Sequence, residues 1–397
     1  MRRLITLPAR RLWTLLAAVC VLVLGAGIAQ AALRSGGDTP PTKPLDRAIR
    51  AAATAPDAPG ISARIEFVNH LLPSGSVGGQ TGSSPLLQGA SGRLWLTGDG
   101  RMRLELQSDS GDAQIVSDGK QASVYDATSN TIYRADLPQD KSTAGHAQSG
   151  PPSLARIDKG LANLGKAWTL SGARPGNTAG QPSYTLRIAP KDDGGLLGAA
   201  EVAWDAAHGT PLRAAIYAQG QRSPVIELKA TSIHYGSIPA SDVALKPPAG
   251  AKVVQVDAPA KGGAKARRTG KDVTGAGAVA AKLSFPLSAP AKLAGLPRRD
   301  VRLVSVESDK GALVTYGRGL GAIVVFEHAS QPQSGQGKGN RRSAMEQLPS
   351  VNVNGATGKE LATALGTVVT FERAGVSYTV AGSVPPVAAE NAARGLK

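Results

Sequence analysis

The chain has 397 residues and a formal net charge of +16, from 45 Lys and Arg against 29 Asp and Glu. That length is enough for two ordinary domains plus extensions. Aromatic residues make up 4% and no basic-aromatic repeat suited to base stacking occurs, so no nucleic acid is expected as a partner. An anionic membrane surface or wall polymer suits the charge better, unless the charge serves only solvation.

Residues 1–31 read as a secretory signal. MRRLITLPARR is a basic start, Leu12 to Ile28 is apolar, and Ala29-Gln30-Ala31 has the form of a cleavage site. The apolar stretch runs on to Leu33, long enough to span a bilayer, so an uncleaved anchor stands as the alternative. Either way the location is extracytoplasmic. Arg2, Arg3, Arg10 and Arg11 lie in this leader, leaving about +12 on the remainder. The one cysteine, Cys20, lies there too, so the rest of the chain has no thiol, disulfide or thiolate metal site. Lipid attachment at Cys20 is not expected, because Val19 is bulky and the apolar run continues past it.

Residues 32–44 are a linker by their Gly and Pro content. Leu45 to Ala55 is a short Ala-rich helix, and Ile61 to Phe67 alternates as a strand. Leu72 to Gln88 is a Gly- and Ser-rich loop. From Ser91 to Arg134, four short alternating runs are punctuated by Gly98-Asp99-Gly100, Ser110-Gly111-Asp112, Asp118-Gly119 and Thr128-Ser129-Asn130. Gly and Asn tolerate the positive φ of tight turns, which makes this an antiparallel meander. Met102, Leu104 and Leu106 fall on one face and Arg101, Arg103 and Glu105 on the other, giving one apolar and one wet side.

Gln139 to Pro152 is polar and loop-like. Leu154 to Trp168 follows with the three-and-four spacing of an amphipathic helix. Strands are expected at Ser183 to Ile188, Ala199 to Trp204, Leu212 to Ala218 and Val225 to Tyr235, with Asp205 to Pro211 as a turn among them. Ala258 to Ala278 has almost no apolar bulk, and residues 258–282 are set apart as a flexible basic linker. Residues 283–397 then form a smaller α+β domain. Its strands run Arg302 to Val306, Ala312 to Tyr316, Ala322 to Phe326, Val368 to Glu372 and Ser377 to Ala381. Ser330 to Arg342 is a polar loop and Pro386 to Leu396 a helix. Gly358 to Gly366 fits a short helix or a strand equally.

With the strands placed, a resemblance emerges. Val202-Ala203-Trp204-Asp205, then Gly209-Thr210-Pro211-Leu212-Arg213, then Tyr217, resembles a strand–turn–strand of the LolA-like lipoprotein-carrier superfamily. Val243-Ala244-Leu245-Lys246-Pro247-Pro248-Ala249-Gly250-Ala251-Lys252-Val253 is similar to the end of that domain, although the usual Phe near Val243 is missing. The resemblance covers about Leu45 to Val254. It implies an α+β fold in residues 45–257, a curved antiparallel half-barrel plugged by helices that binds acyl chains of lipid or lipoprotein. No Arg here is matched to the Arg that gates the carrier's cavity. A half-barrel followed by a small second domain also resembles the RseB/MucB regulators, which implies a membrane-bound anti-sigma factor as the alternative partner and an envelope-stress sensor as the alternative function.

The candidate lipid-binding stripe comprises Ile61, Ile65, Phe67, Leu94, Leu96, Met102, Leu104, Leu106, Ile115, Val124 and Ile132, with Leu154, Ile157, Leu161, Leu164 and Trp168 from the helix. A dry packed core and a lipid cavity both suit this stripe, and the resemblance implies the second. Each methylene moved out of water contributes about 0.8 kcal/mol, so one long acyl chain suffices for capture. The helix is either a mobile lid, weakened by Gly160 and Gly165, or the other half of the core.

His70, His146, His208, His234 and His328 are scattered without metal-ligand spacing. Asp109, Asp112 and Asp118 fall in turns, where Asp is common without calcium. Tyr316-Gly317-Arg318-Gly319-Leu320-Gly321 precedes a strand, so it is a hairpin turn rather than a phosphate cradle. No catalytic motif occurs; the expectation is a non-enzymatic protein without cofactors. A purely structural wall-associated role would rest on Lys261, Lys265, Arg267, Arg268 and Lys271 touching an anionic surface.

Overall fold

A computed structural model describes residues 39–56, 58–72, 89–109, 111–127, 130–136, 153–192, 195–244, 249–255, 273–306, 309–330 and 348–396. The leader, the 72–88 loop beyond residue 72, the 139–152 loop, all five basic linker residues named above and nearly all of the 330–342 loop lie outside the described residues.

Helix α1 (Leu45–Thr54) opens the described chain. Asp46 in its first turn complements the positive helix end. It stops at Ala55, which precedes Pro56, a position where helical backbone is disfavoured. Six strands follow: β1 (Gly60–Asn69), β2 (Gly89–Thr97), β3 (Met102–Ser108), β4 (Gly111–Ser117), β5 (Gln121–Asp126) and β6 (Thr131–Asp136). The four turns of the meander thus join five strands, one more than the four runs expected.

Helix α2 (Leu154–Leu164) is capped by the Ser153 hydroxyl, which accepts from the Arg156 N–H at 3.3 Å. It ends at Gly165, short of the expected Trp168. Trp168 instead starts β7 (Trp168–Leu170) and lies opposite Pro190. The remaining strands of this sheet are β8 (Arg174–Thr178), β9 (Gln181–Pro190), β10 (Leu197–Asp205), β11 (Pro211–Ala218), β12 (Ile226–Tyr235) and β13 (Lys252–Gln255). The short β8 and β13 are absent from the sequence reading.

These strands form a 13-stranded sheet in the order β13-β6-β5-β4-β3-β2-β1-β12-β11-β10-β9-β7, with β8 also paired to β9. Every pairing is antiparallel except β13 with β6. The sheet curls into a half-barrel. Gly92 marks how tightly the strands approach there: a Cβ at this position would lie 1.8 Å from the Glu105 carbonyl oxygen.

The rest of the chain builds a second sheet. Short α3 (Ala276–Ala280) places Val279, fully buried, in this unit's core. Residues 273–282, assigned to the linker from their small side chains, therefore belong to folded structure. The strands are β14 (Lys292–Leu293), β15 (Leu296–Val306), β16 (Asp309–Tyr316), β17 (Ile323–Ala329), β18 (Ser350–Val353), β19 (Ala356–Thr363), β20 (Gly366–Arg373) and β21 (Val376–Gly382), ordered β14-β15-β16-β17-β21-β20-β19-β18. Gly358 to Gly366 resolves mostly into strand β19. The Gly-rich run after Tyr316 is the β16–β17 hairpin turn. Terminal helix α4 (Pro386–Arg394) buries Ala389, Ala392 and Ala393 against this sheet's core.

The two sheets touch. Ile216, Ala218 and Val225 pack with Ala364 and Leu365, and the Leu71 carbonyl accepts from Ala364 N–H at 2.9 Å. Leu196 N–H reaches the Ser383 carbonyl at 3.1 Å. Gly195 permits that approach, because its φ is +60° and a Cβ would fall 2.1 Å from the same Ser383 oxygen.

Candidate functional site

Cross-strand partners in an antiparallel sheet share a face, so the register sorts the stripe. Leu94, Leu104, Ile115 and Val124 form one continuous row. Ile61, Leu96 and Met102 form a second, and Ile65 and Leu106 flank Gly92 in a third. Phe67 stands opposite Leu228. Ten of the eleven sheet residues therefore lie on a single face. The exception is Ile132, which pairs with Tyr125, Gln114 and Glu105 on the opposite face and is fully buried there. Its neighbour Tyr133 takes the expected place beside Val124. The turn before β6 sets this register, and a one-residue slip exchanges the two faces.

Burial is uneven across this face. Ile61, Ile65 and Leu106 are buried. Phe67, Leu94, Leu96, Met102, Leu104, Ile115 and Val124 are only half-buried. Tyr133 and Leu228, which the sequence reading missed, are 40% and 44% exposed. Their signal was present in the alternation of TIYR and IELK, but it required the register to interpret.

At the far end of the same face, α1 sits on Tyr184, Leu186 and Trp204, inserting fully buried Ala48. The Tyr184 hydroxyl donates to the Pro41 carbonyl at 2.6 Å, which fixes the segment leading into α1. Helix α2 packs against α1. Within α2, Ile157 is buried, Leu161 and Leu164 are half-buried and Leu154 is exposed. Trp168 is half-buried on β7, outside the helix. The arrangement is an apolar wall, plugged at one end and short of full burial along β2 to β6.

The motif residues behind the resemblance do other work. Asp205 is buried in the β10–β11 turn, where it accepts from Ala207 N–H at 2.7 Å, His208 N–H at 2.9 Å and the Tyr235 hydroxyl at 2.7 Å. Burial pushes its carboxyl up, but these bonds and His208 outweigh it and hold the group below the usual carboxylate range. His208 stacks on Tyr235 with ring centroids 3.8 Å apart.

Arg213 and Tyr217 lie on the polar face. Glu201 accepts from Arg187 at 2.9 Å, Arg213 at 2.7 Å and the Tyr217 hydroxyl at 2.9 Å. Arg213 also donates to Glu227 at 2.6 Å. Burial raises the Glu201 carboxyl, yet these donors prevail and keep it low. The network binds β9, β10, β11 and β12 together and faces away from the apolar wall. Among the described residues, no group of three His, Asp or Glu is placed to hold a metal ion. No described helix is long and apolar enough to cross a membrane.

No family profile and no curated protein matches the chain. Among solved structures it is similar to MucB in complex with MucA(peri), at 18% identity and TM-score 0.39, over 89% of this chain and 96% of that one. The Pseudomonas aeruginosa MucA/MucB complex gives 18% identity and TM-score 0.39, over 88% and 94%. A LolA superfamily protein from Nitrosomonas europaea is similar at 10% identity and TM-score 0.23, over 51% of this chain and 99% of that one.

Proposed function

We propose that this chain is an extracytoplasmic, non-enzymatic lipid or lipoprotein carrier, with residues 45–257 as the binding domain, 258–282 largely as a basic linker and the C-terminal sheet as a smaller second domain. The observation that carries this reading is the row of half-buried apolar side chains between Phe67 and Val124, closed at one end by α1. Burying a single Leu-sized side chain stabilises by about 1.5–3 kcal/mol, so leaving so many partly wet suits a surface that exchanges its cover. Native mass spectrometry of the purified protein tests this directly. Co-purified acyl species, and uptake of a fluorescent fatty-acid probe that Leu94→Glu abolishes, are the expected results; no acyl species and no uptake would refute the reading.

The second sheet favours a second reading, because an acyl carrier alone requires only the half-barrel. In that reading the chain binds a membrane-bound anti-sigma factor and senses envelope state through lipid. Co-elution with the extracytoplasmic segment of such a factor, altered by added lipid, is the expected result. The basic stretch around Lys261 to Lys271 would add an anionic surface as a contact, lost at raised salt.

A further inference from the structure

The polar face of β1, β2 and β12 carries two adjoining clefts of about 300 and 380 Å³. The first is lined by Arg64, Glu66, Ser91, Arg93, Gln107 and Thr231. The second is lined by Ser62, Arg64, Arg93, Trp95, Ser232 and His234. Two residues, Arg64 and Arg93, belong to both. They stand directly opposite each other across β1 and β2. Like charges in that relation destabilise an antiparallel pair, so their juxtaposition calls for a neutralising group.

The neighbouring acids do not supply it. Glu66 pairs with Lys229 at 3.0 Å, and Glu105, which stands opposite Arg93 on β3, turns its carboxylate to Arg103 and Gln114 instead. Arg103 is further engaged over the Trp95 ring, 5.8 Å from its centroid. Among the described residues, Arg64 and Arg93 have no ion-pair partner, and both are exposed. The stretch joining β1 to β2, residues 70–88, contains no Asp or Glu. The pairing of β1 with β12 shifts register between Arg64 and Ile65, leaving Thr231 as the extra residue beside Arg64. Such bulges re-aim side chains and recur next to binding sites.

We infer that Arg64 and Arg93 form a site for a phosphate group, gripped by two guanidinium forks and flanked by the hydroxyls of Ser62, Ser91, Thr231 and Ser232. Arg presents paired N–H donors that match phosphate oxygens, and charge-assisted bonds of this kind are about twice as strong as neutral ones. The site lies on the face opposite the apolar wall, so it stands whether or not the wall carries lipid. Phosphate reaches an exported protein either free or as an anionic lipid headgroup.

The experiment titrates the purified protein with inorganic phosphate, and separately with vesicles of phosphatidylcholine with or without phosphatidylglycerol. Intrinsic tryptophan fluorescence, to which Trp95 contributes, and thermal stability are the readouts, and Lys261, Lys265, Arg267, Arg268 and Lys271 are replaced by Ala so that the linker does not contribute. Binding of free phosphate assigns the free anion. Binding only of phosphatidylglycerol vesicles assigns the headgroup. Either must weaken at least about tenfold in Arg64→Ala or Arg93→Ala and recover partly in Arg64→Lys/Arg93→Lys. Without phosphate, Arg64→Ala should melt no lower than the parent, since it relieves a repulsion and faces Ser232 rather than an acid on its other side; this separates loss of the site from loss of the fold. No binding of either probe, or binding unchanged in the double Ala variant, overturns the proposal.

Discussion

Glu327 offers the sharpest test of the second sheet's energetics. It lies on β17, fully buried; one carboxylate oxygen accepts from the Ser288 N–H at 2.9 Å and the other has no hydrogen-bond partner among the described residues. Tyr316, also fully buried, presents a hydroxyl without a partner among the described residues and is pushed up to about 12, first by burial and then by the Glu327 charge. Burial pushes the Glu327 carboxyl up from 4.5 to about 7, against a smaller opposing pull from Ser288 N–H. The folded state therefore holds a proton that the unfolded state releases between those values. Stability is fully present below about 4.5 and falls as pH rises through about 7, by roughly 3 kcal/mol in all at about 1.4 kcal/mol per pH unit. Glu327→Gln keeps an acceptor for Ser288 and removes the titration. Amide exchange at Val325 and Val380, corrected for intrinsic rates, should show the Gln variant near parity with the parent at about pH 5. It should gain about 2–3 kcal/mol over the parent at about pH 8.5. An advantage equal at both values would refute the assignment of a buried, proton-holding carboxyl.

Four further outcomes follow from the geometry. Arg213→Met removes one charged donor from each of Glu201 and Glu227, which keep Arg187, Tyr217 and Lys229, and should lower the urea midpoint by the equivalent of about 2 kcal/mol. Gly195→Ala meets both an unfavourable φ and the Ser383 oxygen; it should separate the sheets, seen as faster proteolysis near Leu196 and a larger radius of gyration. Gly160 has open space around it, so Gly160→Ala should stabilise α2 by about 1 kcal/mol in thermal unfolding and, if that helix acts as a lid, slow acyl-probe uptake. Leu228→Asn, at an exposed position, should shift folding stability by under about 0.5 kcal/mol yet weaken acyl-probe binding roughly tenfold or more.

Sequence patterns served best where local chemistry decides the outcome. The turns at Gly100, Gly111, Gly119 and Asn130 each place a residue at positive φ, and the meander appeared where they placed it. Where long-range pairing decides, they served less well. RPGNT in β8 has no alternation and is a strand only because β9 accepts it. Trp168 continues the helical spacing of Leu164, but Gly165 ended the helix and β9 recruited the aromatic. Ile132 looked like a stripe member by composition, and only the register of β5 with β6 places it on the other face. Ala276 to Ala280 offers one bulky apolar residue, Val279, and its burial depends on a sheet formed later in the chain. The apolar wall was legible residue by residue; its incomplete cover was not, since exposure depends on what packs above it.

The pairing of β1 with β12 has a consequence for the history of each molecule. Ile61 finds Tyr235 only after more than a hundred and seventy intervening residues have been made and delivered. Until then β1 and the meander present a long unpaired border, the kind of edge that recruits foreign strands. Closure of the half-barrel is thus a late, slow event of high contact order. A chain threaded from its N-terminus across a membrane would spend that interval needing an escort, and truncation anywhere before Ile226 would leave a sticky ribbon rather than a smaller folded unit.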